Sequence, residues 1–104
     1  MASTRFDIEK FTGLNDFGLW RIRMRSLLVQ QGLVKALGGE SKLSPNLSEE
    51  QKEEMLDKAH STLLLSLGDK VLRQVSKEES AAAVWNKLES LYMTKSLVNR
   101  LYLK

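Results

Sequence analysis

Apolar residues between positions 16 and 31 recur with the period of an α-helix, and they form two stripes rather than one. The first stripe consists of Phe17, Trp20, Met24, Leu27 and Leu28, and the second of Leu19, Ile22, Ser26 and Val29. Asn15 or Asp16 can cap this helix and Gly32 can end it, so we predict a helix from Asp16 to Gln31. Two stripes mean either that the core encloses the helix or that one face is left for a partner. General burial preferences favour the enclosed helix.

A second long helix has a clear start. Ser48 is followed three positions later by Gln51, which is the spacing of a capping box. The apolar residues of this helix lie on one side: Met55, Leu56, Ala59, Leu63 and Leu67. Gly68 is placed to end it. Before it, residues 33–37 predict a short helical turn, and residues 38–47, rich in Gly, Ser, Pro and Asn, predict a loop.

The last third of the chain predicts three more helical segments. The first is short, over residues 69–75, and Ser76 with Glu79 forms a capping box that predicts a helix running to Met93. Thr94 can separate that helix from a last one over residues 95–104. The last helix carries one apolar side, made of Leu97, Val98, Leu101 and Tyr102. No stop signal follows, and we expect this helix to continue past Lys104.

Together these elements predict an all-α fold, a compact bundle of about five helices in one domain that covers residues 1–104. An extended N-terminal arm precedes the bundle. Phe6, Ile8 and Phe11 stand among polar neighbours in this arm and are expected to lie over the helical core. A short strand is the alternative, because Phe6 and Ile8 alternate with polar residues.

Composition excludes several classes of site. The chain has 16 Lys and Arg, 13 Asp and Glu, one His and no Cys. Without Cys there are no disulfides, thiolate metal sites or cysteine nucleophiles, and a single His argues against a His-based metal site. No apolar run is long enough to span a bilayer, and the first ten residues carry no secretory signal. We therefore expect a soluble cytoplasmic domain with no cofactor, no small-molecule substrate and no membrane contact.

His60 is the only histidine, and Asp57 and Ser61 are close to it in the sequence. A catalytic triad needs these three groups in a chain of hydrogen bonds. Consecutive residues on a helix do not face each other, so we interpret His60 as a residue at the edge of the core.

The most basic short stretch contains Arg21, Arg23 and Arg25. Their alternate spacing scatters them around the predicted helix. Weak contact with RNA is a candidate role, and a solvated flank that covers the edge of the core is the simpler interpretation. No catalytic constellation remains, and the residues alone indicate a helical binding or assembly domain.

Two blocks of residues resemble a known family. The first consists of Phe11, Gly13, Asn15, Trp20, Met24 and Leu28, followed by Gln31, Gly32 and Leu33. The second contains Ala81, Val84, Trp85, Leu88, Leu91 and Tyr92 and continues through Leu97 and Leu101 to Lys104. In this order, over nearly the whole chain, they resemble the start of the Gag polyprotein of Ty1/copia-type LTR retrotransposons, most closely the plant elements.

This resemblance implies the N-terminal lobe of a Gag capsid region, a structural protein that builds virus-like particles around element RNA. In the family, Gag continues to a second helical lobe and a CCHC zinc knuckle. Because this chain has no Cys, the resemblance assigns RNA selection to full-length Gag rather than to these residues. A domesticated host protein that retains the domain is also compatible with the sequence.

We predict that the chain contacts copies of itself. The candidate surfaces are the second stripe of the first helix, through Leu19, Ile22 and Val29, and the last helix, through Leu97, Val98, Leu101 and Tyr102. Exchange of the last helix between copies would give a domain-swapped dimer. The alternative function is an intracellular adaptor that binds a partner helix or peptide through the same stripe. A third is a nucleic-acid module that uses Arg21, Arg23 and Arg25.

Overall fold

The computed structural model describes residues 8–93, which form an arm followed by four α-helices. Helices α1 to α4 span Phe17–Gln30, Glu49–Leu65, Asp69–Val75 and Ala81–Leu88. Two 3₁₀ turns, Val34–Gly38 and Glu40–Lys42, connect α1 to α2, and a π-helical turn, Glu89–Met93, continues α4. The predicted all-α fold is confirmed, and the loop predicted over residues 38–47 contains the second 3₁₀ turn. Thr94, the predicted last helix and Phe6 lie outside the described residues.

The start of α1 is set by a side-chain cap. Of the two predicted candidates, Asp16 is the cap, since its carboxylate accepts a hydrogen bond of 3.1 Å from the backbone N–H of Leu19. Asn15 instead accepts from the N–H of Thr12 and donates to the carbonyl of Lys10, both at 2.9 Å. These bonds fold the turn that leads from the arm into α1.

Only one stripe of α1 faces the core. Phe17, Trp20, Met24 and Leu28 are buried, whereas Leu19, Ile22 and Val29 are 51%, 61% and 48% exposed. The preferred expectation that the core encloses α1 on both sides is therefore wrong. The physical reason is that the core lies on one side of α1: the four buried residues share a single hydrophobic cluster with residues of the other helices, whereas the second stripe is not part of that cluster.

The arm is attached to the bundle through Phe11, which is fully buried. Its N–H donates to the carbonyl of Ser66 at 3.0 Å, and its carbonyl accepts from the N–H of Gly68 at 2.9 Å, forming an isolated parallel bridge with Leu67. The Phe11 ring lies 4.8–5.6 Å, centroid to centroid, from the rings of Phe17, Trp20 and Tyr92. The prediction that the arm lays an aromatic ring over the core is confirmed for Phe11.

The same bridge corrects the predicted end of α2. The helix ends at Leu65, so Leu67 pairs with the arm rather than extending the apolar side of the helix. Gly68 does not end α2 but stands in extended conformation at the start of α3. The bridge requires extended backbone at these two residues, which a longer α2 would not allow.

The caps of α2 and α4 differ in how well the sequence predicted them. The capping box at Ser48 is confirmed, because Gln51 N–H donates to its hydroxyl at 3.1 Å and its own N–H donates to Gln51 Oε1 at 2.9 Å. The box predicted at Ser76 is wrong. Ser76 has helical dihedral angles and closes α3, whereas Ser80 is extended and accepts from Ala83 N–H at 3.1 Å. An N-cap needs the extended conformation, so α4 begins after Ser80.

Candidate assembly surface

The outward face of α1 presents an apolar surface, which we call the α1 ridge: Leu19, Ile22 and Val29. Their exposed fractions lie between 48% and 61%, and no described element covers them. Ser26, also exposed, completes the face between Ile22 and Val29. An isolated exposed apolar residue is ordinary, but three that share one face of one helix are typical of an interaction site.

Arginine side chains border the α1 ridge on both sides. At 100° per residue, Arg23 lies on one side of the ridge and Arg25 on the other. Both are exposed, and neither forms an ion pair with any residue between 8 and 93. The ridge is therefore an apolar strip with an arginine on each side. Arg23 shares a cavity with the carboxylates of Glu9 and Asp16, and these offset part of its charge.

Arg21 has a different environment from the other two arginines. Its Nη2 lies 2.6 Å from Oε2 of Glu89, and its Nε donates to the same oxygen at 2.7 Å. The guanidinium also lies 5.4 Å from the centre of the Trp85 ring. The structure thus divides the arginine stretch into one residue that joins α1 to the turn after α4 and two that face solvent. No sequence signal could have found this pair, because Arg21 and Glu89 are 68 positions apart.

A second charged surface covers the outward side of α2. We call the exposed carboxylates there the α2 acidic face: Glu50, Glu53, Glu54 and Asp57. They lie opposite Ala59 and Leu63, which are buried. Leu65, 74% exposed, ends the same side of the helix. The chain therefore carries an apolar strip with positive edges on one helix and a negative surface with an apolar end on another.

A small cavity of about 170 Å³ lies beside the start of the α1 ridge. Leu19 and Arg23 line it, together with Glu9, Asn15, Asp16 and Trp20. Trp20 is buried in the aromatic cluster, and its indole Nε1 has no acceptor among the described residues. Sequence reasoning missed this cavity, because Glu9 is brought to it from the arm.

Within residues 8–93, no hydrogen bond joins His60 to Asp57 or Ser61, the two residues that a catalytic triad would need. His60 is partly buried, and its Nε2 lies 3.2 Å from the backbone carbonyl of Glu78, which confirms that it is a residue at the edge of the core. Between residues 8 and 93 no three His, Asp or Glu side chains converge on a position that could hold a metal ion. Within the same stretch, none of the helices combines the length and apolar character needed to span a bilayer.

Comparison with known proteins confirms the resemblance seen in the sequence. Residues 24–104 match the family model of the gag-polypeptide of LTR copia-type. All 104 residues align at 41% identity with the protein named "Retrovirus-related Pol polyprotein from transposon TNT 1-94" of Nicotiana tabacum, of which the chain spans 8%. No solved structure gives a significant match. The family model and the tobacco relative agree, and the chain belongs to the gag polypeptides of copia-type LTR retrotransposons.

Proposed function

We propose that the chain is an assembly domain whose copies associate through the α1 ridge. In its element, or in a host protein derived from one, this association builds virus-like particles in the cytoplasm that enclose element RNA. Membership of the gag family supports the class of function. The observation that carries the proposal is the exposure of Leu19, Ile22 and Val29 on the side of α1 opposite the core.

The size of the α1 ridge suits a repeated, weak contact. Each of its three side chains is about half exposed, so covering the remainder contributes about 1 kcal/mol per residue. Association costs several kcal/mol in lost freedom, so such a contact is weak between two isolated copies. In a shell each copy makes several contacts at once, and the effective concentration raises the total strength.

Charge complementarity favours a second copy of this chain as the partner. The positive edges of the α1 ridge, Arg23 and Arg25, match the α2 acidic face, and exposed Leu65 supplies an apolar contact at its end. The paired surfaces differ, so the contact is heterologous and repeats from copy to copy. It generates closed rings or extended arrays, which are the geometries that a shell needs.

The last helix remains a second predicted surface. Leu97, Val98, Leu101 and Tyr102 lie outside the described residues, and their role in self-contact or in a domain-swapped dimer stays a prediction. The adaptor alternative uses the α1 ridge for a heterologous helix or peptide. Self-association distinguishes the adaptor from the assembly domain, because an adaptor shows no concentration-dependent self-association.

Light scattering coupled to size-exclusion chromatography tests the proposal over a series of protein concentrations. We expect the average mass of the parent to rise with concentration and that of Ile22→Asp to remain monomeric. Leu14→Asp is the matched control, because Leu14 is 90% exposed but lies off the ridge. Leu101→Asp tests the predicted last helix separately. A folded Ile22→Asp that associates like the parent, or a parent that stays monomeric throughout, would refute the proposal.

A further inference from the structure

The two ends of the α1 ridge border surfaces of opposite charge. At the start of α1, the exposed carboxylates of Glu9 and Asp16 line the small cavity beside Leu19. Beyond the C-terminal half of α1, a groove of about 320 Å³ lies between the first 3₁₀ turn and α4. We call it the basic groove, because three exposed cations line it: Arg25, Lys35 and Lys42.

The cations of the basic groove are not balanced within the described part of the chain. Among residues 8–93, no Asp or Glu lines the groove, and none of its three cations forms an ion pair. An acidic surface that approaches the α1 ridge is therefore repelled at the start of α1 and attracted beyond its end. This difference fixes the direction in which an acidic partner lies along the ridge.

The α2 acidic face also has a direction. Its carboxylates begin with Glu50 in the first turn and end with Asp57, and exposed Leu65 follows about two turns later on the same side. At a rise of about 1.5 Å per residue, Leu65 lies about 12 Å from Asp57 and about 22 Å from Glu50 along the helix axis. One end of this surface is thus negative and the other is apolar.

We infer that α2 of a neighbouring copy lies antiparallel to α1, with Leu65 against Leu19 and the start of the α2 acidic face beside the basic groove. The inference rests on the proposed association through the α1 ridge, and it adds the direction of the contact and a second surface, the groove. Leu65 carries no charge for the cavity carboxylates to repel, and the two leucines cover each other's exposed apolar surface.

Helix geometry brings the opposite charges together in this direction. When Leu65 is level with Leu19, Asp57 lies about 12 Å further along α1, which is within about 3 Å of the level of Arg25. Glu50 lies about 22 Å along, past the last turn of α1 and toward the two lysines of the basic groove.

The parallel arrangement brings like charges together instead. With Leu65 against Val29, the carboxylates that open the α2 acidic face lie at or before the first turn of α1, where Glu9 and Asp16 repel them. The lysines of the basic groove then have no carboxylate of the neighbouring copy beside them. Charge therefore selects the antiparallel direction.

Disulfide formation between engineered cysteines tests this direction, because the chain has no cysteine of its own. The whole chain carrying Leu65→Cys is mixed with a mass-tagged chain carrying either Leu19→Cys or Val29→Cys, and mild oxidation is followed by non-reducing electrophoresis. A disulfide joins Cα atoms no more than about 7 Å apart, whereas Leu19 and Val29 are about 15 Å apart along α1. We expect the covalent heterodimer with Leu19→Cys and only the background of random collision with Val29→Cys. Leu19→Cys/Ile22→Asp measures that background.

The same samples, sedimented with a reductant, separate this inference from the proposed function. A parent that self-associates but cross-links through Val29→Cys, or through neither position, would overturn the inference and leave the proposed function standing. A parent that stays monomeric at every concentration would refute the proposed function itself.

The part of the basic groove in the contact is tested without cysteine. Lys35→Glu/Lys42→Glu should weaken self-association about tenfold, because attractive pairs at an exposed edge become repulsive ones. The matched control is Lys70→Glu/Lys77→Glu, which reverses two exposed lysines that line neither the groove nor the cavity and should change the association little. Equal losses for the two double variants would overturn the inference.

Discussion

Arg21 and Glu89 join the middle of α1 to the turn that follows α4. Two guanidinium nitrogens, Nη2 and Nε, lie 2.6 and 2.7 Å from a single carboxylate oxygen, Oε2 of Glu89. The side chains are 31% and 28% exposed, so water screens the pair less than it screens a fully exposed one. The guanidinium also covers Trp85, and the pair therefore closes one edge of the core.

Glu89→Gln should lower the free energy of unfolding by about 1 kcal/mol, because it removes the charge from a partly buried hydrogen-bonded pair. Arg21→Lys should have a similar effect, since lysine lacks the planar fork that places two nitrogens on one oxygen. Urea denaturation measures both. Glu54→Gln is the control, as its partner Lys58 lies 3.9 Å away and both side chains are more than half exposed. An equal loss of unfolding free energy for Glu54→Gln would contradict a stabilising role that is specific to the Arg21–Glu89 pair.

Because Phe11 attaches the arm to the core, Phe11→Ala should strongly destabilise the fold. Truncating this fully buried ring removes contacts with three other aromatic rings and should lower the free energy of unfolding by about 3–5 kcal/mol. Leu14→Ala should change it by less than about 0.5 kcal/mol, because Leu14 is 90% exposed. Thermal or urea unfolding of the two variants checks the contrast. A small effect of Phe11→Ala would mean that the arm does not contribute to the core.

The position of the α4 cap can be tested with two serines. Ser80→Ala should lower the free energy of unfolding by about 1 kcal/mol, because it leaves the N–H of Ala83 without its acceptor. Ser76→Ala should cost only a few tenths of a kcal/mol, since that hydroxyl donates to the carbonyl of Arg73 at an exposed helix end. Unfolding curves that show the larger loss for Ser76→Ala would restore the cap predicted from the sequence.

Features set by neighbouring residues could be predicted from the sequence. The caps at Asp16 and Ser48 depend on residues three positions apart, and the sequence contains all the information that they require. The same reasoning placed the cap of α4 at Ser76, and the structure has it at Ser80. Ser76 and Ser80 both precede a helical pattern, and only the length of α3 decides which serine is extended.

Features set by distant residues could not be predicted. Both stripes of α1 are apolar enough to be buried, and the packing of the rest of the fold leaves the smaller one exposed. The 3₁₀ turns place Lys35 and Lys42 along the same groove as Arg25, and the loop composition alone gave no sign of this. The sequence did identify the residues of the α1 ridge, because helical periodicity places Leu19, Ile22 and Val29 on one face.

The most direct test of the assembly account mixes two charge-reversed copies. One variant carries Arg23→Glu/Arg25→Glu beside the α1 ridge. The other carries Glu50→Lys/Glu53→Lys/Asp57→Lys on the α2 acidic face, which makes that face positive and leaves Glu54 with its partner Lys58. All five positions are exposed, so both variants should fold, which circular dichroism checks. In the mixture each ridge again meets a face of opposite charge, so the two variants can alternate along an array.

Analytical ultracentrifugation of each variant alone and of the equimolar mixture gives the decisive comparison at one total concentration. We predict that each variant alone remains near the monomer mass and that the mixture recovers the association of the parent. A mixture whose average mass equals the mean of the two separate variants would contradict the pairing of the α1 ridge with the α2 acidic face.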